Sequence, residues 1–232
     1  MPGSTSRDSL GREKVNDLYA YFVTEHGAPD SAAFQLARSN FIKSMAAYSV
    51  IVYLLTLRDR HNGNILIDDQ GHIIHIDFGF ILGISPGGVV FNDILNGFET
   101  SPFLLKKEMI DIMGGSVDSA PFMWFSSLVI QAFLAARYFS TAYFIIFNLN
   151  CACVLSRPFA EEVVLMVKLM SESGLPCFRG EETLRNLRDR FQPKLSIPEA
   201  ARFMQAKIQE SKQHFRTAAY DSFQYMQNKI PY

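Results

Sequence analysis

The chain carries, between residues 57 and 79, the segment LRDRHNGNILIDDQGHIIHIDFG. The polar run DRHNGN predicts a loop, ILI and HIIHI predict two short strands, and DDQG between them predicts a turn. A hairpin of this kind brings its two flanking loops to one end of a rigid element. We therefore expect Asn64, before the first strand, and Asp77, after the second, to lie close together.

The side chains of these two loops are of the types that phosphoryl transfer from a nucleotide requires. Magnesium needs hard oxygen ligands against the phosphates, and the acceptor hydroxyl needs a nearby group that takes its proton. Asn64 and Asp77 can supply the oxygens, while Asp59 and His61 are candidates for the proton acceptor. The pattern does not say which of those two is the base. His75 is predicted to be a half-buried strand residue without a catalytic role.

The segments around the hairpin are mainly helical. Residues 12–25 and 30–57 are predicted helices, the second capped by Asp30 and apolar almost all round, which predicts burial. A long irregular loop, 80–105, is rich in Gly, Pro, Ser and Asn and is typical of a functional loop. The helices predicted beyond it are 106–113, 121–137, 158–172, 181–191, 196–211 and 213–229. The expected fold class is mainly α with a small β-hairpin, in one domain, 1–232.

Charge and cysteine content exclude some partners and compartments. Lys and Arg total 22 against 23 for Asp and Glu, so no overall positive field attracts nucleic acid, and none is expected as a partner. Three cysteines without a regular framework suit a reducing compartment, and the first ten residues do not look like a secretory signal. A cytoplasmic location is therefore predicted.

Several sequence motifs of the chain resemble those of the phosphatidylinositol 3-/4-kinase superfamily. DRHNGN followed by HIDFG differs from the HRDLxxxxN and DFG of ordinary protein kinases, and no Ala-Pro-Glu segment follows the DFG. TSRDSLGRE, FQLARSNFIKSMAAYSV, GLPCFRG and the terminal AAYDSFQYMQNKIPY look like the type III alpha group of phosphatidylinositol 4-kinases. The resemblance covers nearly the whole chain.

This resemblance implies a C-terminal lobe of a protein-kinase-like fold. It implies a catalytic loop at 57–64 with Asp59 and His61, and an activation loop at 77–105. Asn64 and Asp77 fall at the metal and the ATP phosphates. The implied cofactors are ATP and Mg²⁺, with Mn²⁺ as a possible substitute, and the implied partners are phosphatidylinositol in a membrane and regulatory scaffold proteins. Peripheral membrane association follows from the same resemblance.

The activation loop has the charge expected for an unphosphorylated lipid headgroup. Between Asp77 and Lys106 there is no Lys or Arg, whereas a multiply phosphorylated headgroup needs cations. Plain phosphatidylinositol has only its bridging phosphate and does not need such cations. The residues assigned to this substrate loop are Phe80, Ser85, Pro86, Gly87 and Gly88.

Two features depart from the family pattern. The 58 residues before Asp59 contain neither a glycine-rich loop nor a strand lysine, so we expect the N-terminal lobe to be missing and the isolated chain to be inactive. A catalytically silent interaction module is the alternative. Residues 138–157 look inserted, as a lineage-specific loop, a translated intron or, since 138–156 carry no charge, a membrane segment. The stripe formed by Phe223, Met226 and Ile230 predicts a terminal helix that packs on the lobe or touches the bilayer.

Overall fold

Helices and one hairpin make up the computed structural model, which describes residues 17–84, 101–138 and 159–212. The elements are α1 (Leu18–His26), α2 (Ala32–Leu55), β1 (Ile65–Ile67), β2 (Ile73–His75), α3 (Lys107–Ile112), α4 (Ala120–Tyr138), α5 (Phe159–Met170), α6 (Glu181–Arg190) and α7 (Ile197–Lys212). Single turns of 3₁₀ helix occupy Asn62–Asn64 and Ser171–Ser173. The predicted fold class, mainly α with a small hairpin, is confirmed.

The core is centred on α2 and α4, and α7 packs against α4, with its Phe203 also contacting Tyr53 of α2 at 6.1 Å between ring centroids. Phe133 of α4 is fully buried and meets Tyr53 of α2 edge-on, with ring centroids 5.9 Å apart, and Phe203 of α7 at 6.2 Å. Such aromatic contacts bury large apolar areas and fix the relative orientation of the helices. Among the described residues, α4 is the one helix long and apolar enough to span a membrane; 28% of its residues 120–137 are buried, and the helix packs against α2, α5 and α7.

The hairpin lies on α2, and this contact places the predicted site. Its antiparallel register pairs Ile65 with His75 and Ile67 with Ile73. Gly71 in the turn has a φ of 85°, and a Cβ built there would lie 2.8 Å from the backbone oxygen of Ala37 in α2. Only glycine permits both this conformation and this approach. The turn of the hairpin therefore lies directly against α2, and we call it the attached end. The two flanking loops enter and leave at the opposite end, which we call the open end of the hairpin.

The start of α2 differs from the prediction. The hydroxyl of Ser31, not the carboxylate of Asp30, caps the helix by accepting the backbone N–H of Phe34 at 3.2 Å. The predicted cap was wrong because both residue types favour this position and sequence alone does not choose between neighbours. At the other end Thr56 adopts a left-handed φ of 49°, so the helix stops at Leu55.

Other helix ends follow their sequence signals. Gly174, with a φ of 74°, follows the 3₁₀ turn after α5, as the left-handed conformation of glycine allows. Before α7 the carboxylate of Glu199 accepts the backbone N–H of Ser196 at 2.9 Å and its hydroxyl at 2.6 Å. One half of a capping box is thus present at the start of the helix predicted over 196–211, while the serine hydroxyl donates to the glutamate instead of accepting from the helix.

Several predictions lie outside the described residues. These are the loop residues Ser85, Pro86, Gly87 and Gly88, the inserted run beyond Tyr138, and the terminal helix 213–229 with its apolar stripe. They remain predictions.

Candidate active site

The two predicted loops run side by side at the open end of the hairpin. The backbone N–H of Ile76 donates to the carbonyl of Asn64 at 3.0 Å, which continues the strand pairing by one step. The N–H of Arg58 donates to the carbonyl of Phe80 at 2.9 Å. The structure therefore brings 57–64 against 76–80, and Asn64 lies across from the residue that precedes Asp77.

The side chain of Asn64 is buried and its orientation is determined by its neighbours. Its Nδ2 donates to the carbonyl of Asp59 at 2.9 Å and lies 3.2 Å from Nε2 of His61. A backbone carbonyl accepts only, so the amide must present its nitrogen there and its oxygen elsewhere. Oδ1 of Asn64 is thus left as the atom that can bind a cation.

His61 and Asp59 lie together beside this amide. Nε2 of His61 is 3.8 Å from Oδ2 of Asp59, and both side chains are largely buried. Because Nδ2 of Asn64 is a donor, Nε2 of a neutral His61 is the acceptor and the proton sits on Nδ1. Within the part of the chain described, that Nδ1 is buried without a hydrogen-bond partner. The carboxylate of Asp59 can accept a proton from a hydroxyl directly, whereas Nε2 of His61 can do so once it releases the amide of Asn64. The geometry keeps both candidates for the base.

Asp77 is exposed and adopts an uncommon backbone conformation. Its φ is 56°, in the left-handed region that few residues other than glycine visit. Its Oδ1 accepts the N–H of Gly79 at 3.2 Å, which leaves Oδ2 for another contact. Phe78, between these residues, exposes 48% of its surface.

The oxygens of Asn64 and Asp77 suit a magnesium ion that also binds phosphates. Mg²⁺ is usually held by one or two protein ligands plus phosphate oxygens and water, rather than by a full protein cage. Among the residues that the structure describes, no group of three or more His, Cys, Asp or Glu residues could hold a metal by itself. A site that uses Asn64 and Asp77 is therefore one that a nucleotide completes.

His75 is more deeply buried than predicted. Only 5% of the residue is exposed, and its ring stacks on Tyr48 with centroids 4.4 Å apart and planes 14° from parallel. Burial, assisted by the nearby charge of Arg60, lowers the pKa of His75 from 6.5 to about 4. The prediction that it is a structural strand residue fits this position, but the half-buried environment was wrong because α2 covers the strand.

A neutral, buried His75 predicts that stability falls in acid. The pKa of His75 in the folded state lies below its unfolded value of 6.5. The contribution of neutral His75 to the free energy of unfolding is therefore fully present above pH 6.5 and is lost as the pH falls towards 4. Protonation of the unfolded chain should remove about 3 kcal/mol over this range. Urea unfolding at pH 7 and pH 4.5 should show this loss in the unaltered chain and much less of it in His75→Gln.

His72, in the turn of the same hairpin, is the matched control. Its half-exposed ring is paired with the carboxylate of Asp68 at 2.9 Å. His72→Gln should keep the acid-sensitive component assigned to His75. Equal pH dependence in His75→Gln and the unaltered chain would show that His75 is not held neutral.

Sequence reasoning missed two residues near the site. Arg60 is 4% exposed and donates to the carbonyls of Arg58, Ile76 and Asp77. Nζ of Lys106, at the start of α3, donates to Oδ1 of Asn62 at 3.0 Å. The position of Arg60 between two candidate catalytic residues was a usable signal, whereas nothing in the sequence pointed to Lys106, which is 44 residues from its partner.

This site, two polar loops joined by a hairpin on a helical domain, is the kind of site that a kinase uses. The family model described as phosphatidylinositol 3- and 4-kinase matches residues 6–155. The chain belongs to this family.

The curated relatives are lipid kinases by name. The chain is 50% identical to phosphatidylinositol 4-kinase stt4 of Schizosaccharomyces pombe and 48% identical to phosphatidylinositol 4-kinase STT4 of Saccharomyces cerevisiae, in each case over 232 residues. It is 42% identical to the human putative phosphatidylinositol 4-kinase alpha-like protein P2. All of this chain is covered, but it spans 11% of each yeast relative and 35% of the human one.

Proposed function

We propose that the protein containing this chain is a phosphatidylinositol 4-kinase, and that this chain is the C-terminal lobe of its catalytic domain. The reaction transfers the γ-phosphate of ATP to the 4-hydroxyl of phosphatidylinositol and gives phosphatidylinositol 4-phosphate. The observation that carries the proposal is the hydrogen bond from the N–H of Ile76 to the carbonyl of Asn64, because it joins the loop of Asn64 to the residue that precedes Asp77. The names of the relatives support the same reaction.

Asn64 and Asp77 are assigned to the metal and the ATP phosphates. Oδ1 of Asn64 and Oδ2 of Asp77 are the two oxygens that would hold Mg²⁺, or Mn²⁺ in its place. A bound ion would supply positive charge that offsets the charge developing on the transferred phosphate. The orientation of Asn64 is already determined by Asp59, so the site needs little rearrangement.

Either Asp59 or His61 receives the proton of the acceptor hydroxyl. Their reactive atoms lie 3.8 Å apart, so a hydroxyl hydrogen-bonded to one lies near the other. General-base catalysis requires only this proximity and a proton-free acceptor. Comparison of the pH–rate profiles of Asp59→Asn and His61→Gln identifies the base, because only its replacement removes the acidic limb.

The substrate is plain phosphatidylinositol presented by a membrane. The loop after Asp77, which begins with Phe80 and includes the assigned residues Ser85 to Gly88, has no cation to bind further phosphates. Because such a substrate lies in a membrane, the protein is proposed to be cytoplasmic and bound peripherally to that membrane. Regulatory scaffold proteins are proposed as additional partners.

One observation favours a second function, that of an interaction module. The outward face of α5 exposes apolar side chains, with Leu169 74% exposed and Leu165 and Met166 beside it. A contiguous apolar face of this kind marks protein contact sites in many domains. A module without catalysis would use such a face and would not need the loops.

A chimaeric kinase separates the two functions. The matching 232 residues of the fission yeast stt4 protein are replaced by this chain, and the purified chimaera is given ATP and phosphatidylinositol vesicles. Chromatography that resolves the regioisomeric phosphates should show phosphatidylinositol 4-phosphate. A folded chimaera that forms none, beside an active parent protein, contradicts the proposed kinase function and favours the module.

A further inference from the structure

Arg60 contacts both loops of the site, although no role has been assigned to it. Its guanidinium is buried beneath them, with Nε donating to the carbonyl of Arg58 at 2.9 Å. Nη1 donates to the carbonyl of Ile76 at 2.8 Å, and Nη2 donates to the carbonyl of Asp77. One side chain therefore joins the backbone of the catalytic loop to the backbone of the segment that enters the activation loop.

The shape of the guanidinium matters as much as its charge. Its donors lie in one rigid plane and point in different directions, so that a single group can satisfy three carbonyls of two segments. The ring of Phe78 lies 5.9 Å from its central carbon, which is within the range of a cation–π contact. A lysine ammonium would keep the charge but could not reproduce this fork.

Asp77 lies at the point where the chain leaves the hairpin and enters the activation loop. The left-handed backbone conformation of Asp77 persists only where the surrounding structure holds it. The hydrogen bond from Arg60 acts on this residue directly, while the N–H of Gly79 holds only its side chain. Without Arg60 the peptides on either side of Asp77 could rotate, and the direction of its carboxylate relative to the catalytic loop would change.

We propose that Arg60 is a positioning residue that holds the Asp77 carboxylate in register with Asn64 by binding the backbone carbonyls of both loops. This inference rests on the proposed kinase function for its effect on activity. Its structural part, the coupling of residues 58–64 to 76–79, can be measured without catalysis.

Hydrogen exchange of the 232-residue chain tests the coupling. In Arg60→Lys the amides of Arg58, Ile76 and Gly79 should exchange about 10- to 100-fold faster, because bonds from a charged donor to buried carbonyls are lost. The amide of Ile73, which donates to Oγ of Ser44 at the attached end of the hairpin, should keep its protection. Unchanged exchange at Ile76 and Gly79 would overturn the proposal.

Arg137 offers a matched control. It is buried to a similar degree, and its Nη2 also donates to two backbone carbonyls, those of Gln192 and Leu195, away from the site. Arg137→Lys should lower the melting temperature but leave the amides at Arg58 and Ile76 as they are. If both variants raised the exchange rates of these amides equally, the effect of Arg60 would be that of any buried cation, and the proposal would be contradicted.

A second measurement serves if Arg60→Lys does not fold. In the unaltered chain, native-state exchange in rising urea should show the amides of Arg58 and Ile76 opening in one event with one free energy. Opening of Ile76 at lower urea than Arg58 would contradict the coupling.

Activity in the chimaeric kinase gives a separate readout. Arg60→Lys should raise the Mg²⁺ concentration for half-maximal rate about 10- to 100-fold, as the loss of groups that orient metal ligands does. The KM for phosphatidylinositol should stay within about twofold, since Arg60 is 4% exposed and its guanidinium is bonded to backbone carbonyls of the chain. Unchanged Mg²⁺ dependence would overturn the positioning role, whereas an inactive parent chimaera would count against the kinase function alone.

Discussion

Replacing Asp77 by alanine in the chimaeric kinase is expected to lower kcat by at least about 10²- to 10³-fold, because the carboxylate proposed to bind the metal at the transferred phosphate is lost. The carboxylate is exposed, and among the residues that the structure describes its hydrogen bond is with the N–H of Gly79 in its own turn, so the fold should tolerate the change. Initial rates at saturating ATP and lipid, with thermal melting of the same preparations, measure both effects.

Two controls accompany this variant. Asp69→Ala removes an exposed carboxylate from the turn at the other end of the hairpin and should leave kcat within about twofold. His75→Ala removes a buried ring that the site does not use, and should spare part of the activity while lowering stability. Near-normal activity of Asp77→Ala would remove the metal assignment.

Phe133→Ala is expected to destabilise the 232-residue chain by about 3–5 kcal/mol, because it leaves a cavity between packed helices. The ring is fully buried and contacts Tyr53 of α2 and Phe203 of α7, so little around it can collapse into the space. The free energy of urea unfolding measures the loss.

Met123→Ala is the matched change on the same helix. Its side chain is more than half exposed, and its removal should alter the unfolding free energy by no more than about 0.5 kcal/mol. Similar losses in the two variants would show that α4 does not form the centre of the core.

Much of the fold was predictable because its signals are local. The apolar run of α2, the glycines after α3 and α5, and the Ser196–Glu199 pair each act within one or two turns of chain. Hairpin signals are equally short, since the polar turn and the alternating strands are adjacent in sequence. Boundaries shifted by a few residues where two good capping residues were neighbours, as at Asp30 and Ser31.

Part of the candidate site was predictable for the same reason. Asn64 and Asp77 flank one hairpin, so a local pairing prediction already placed them together. The burial of His75 was not predictable, because it depends on a contact with Tyr48 of α2, which is distant from the strand in sequence. The contact of Lys106 with Asn62 was not predictable either, because it requires the chain to return from beyond the activation loop.

The sequence by itself determined the residue types of the two candidate-site loops, their order and the hairpin between them, because each depends on neighbours in the chain. The tertiary structure decided what those residues touch. Packing on α2 buries His75, and the guanidinium of Arg60 reaches the backbone at Ile76 and Asp77, 16 and 17 residues away. Such contacts follow from the geometry of a folded core, in which burial and carbonyl direction are set by elements distant in sequence.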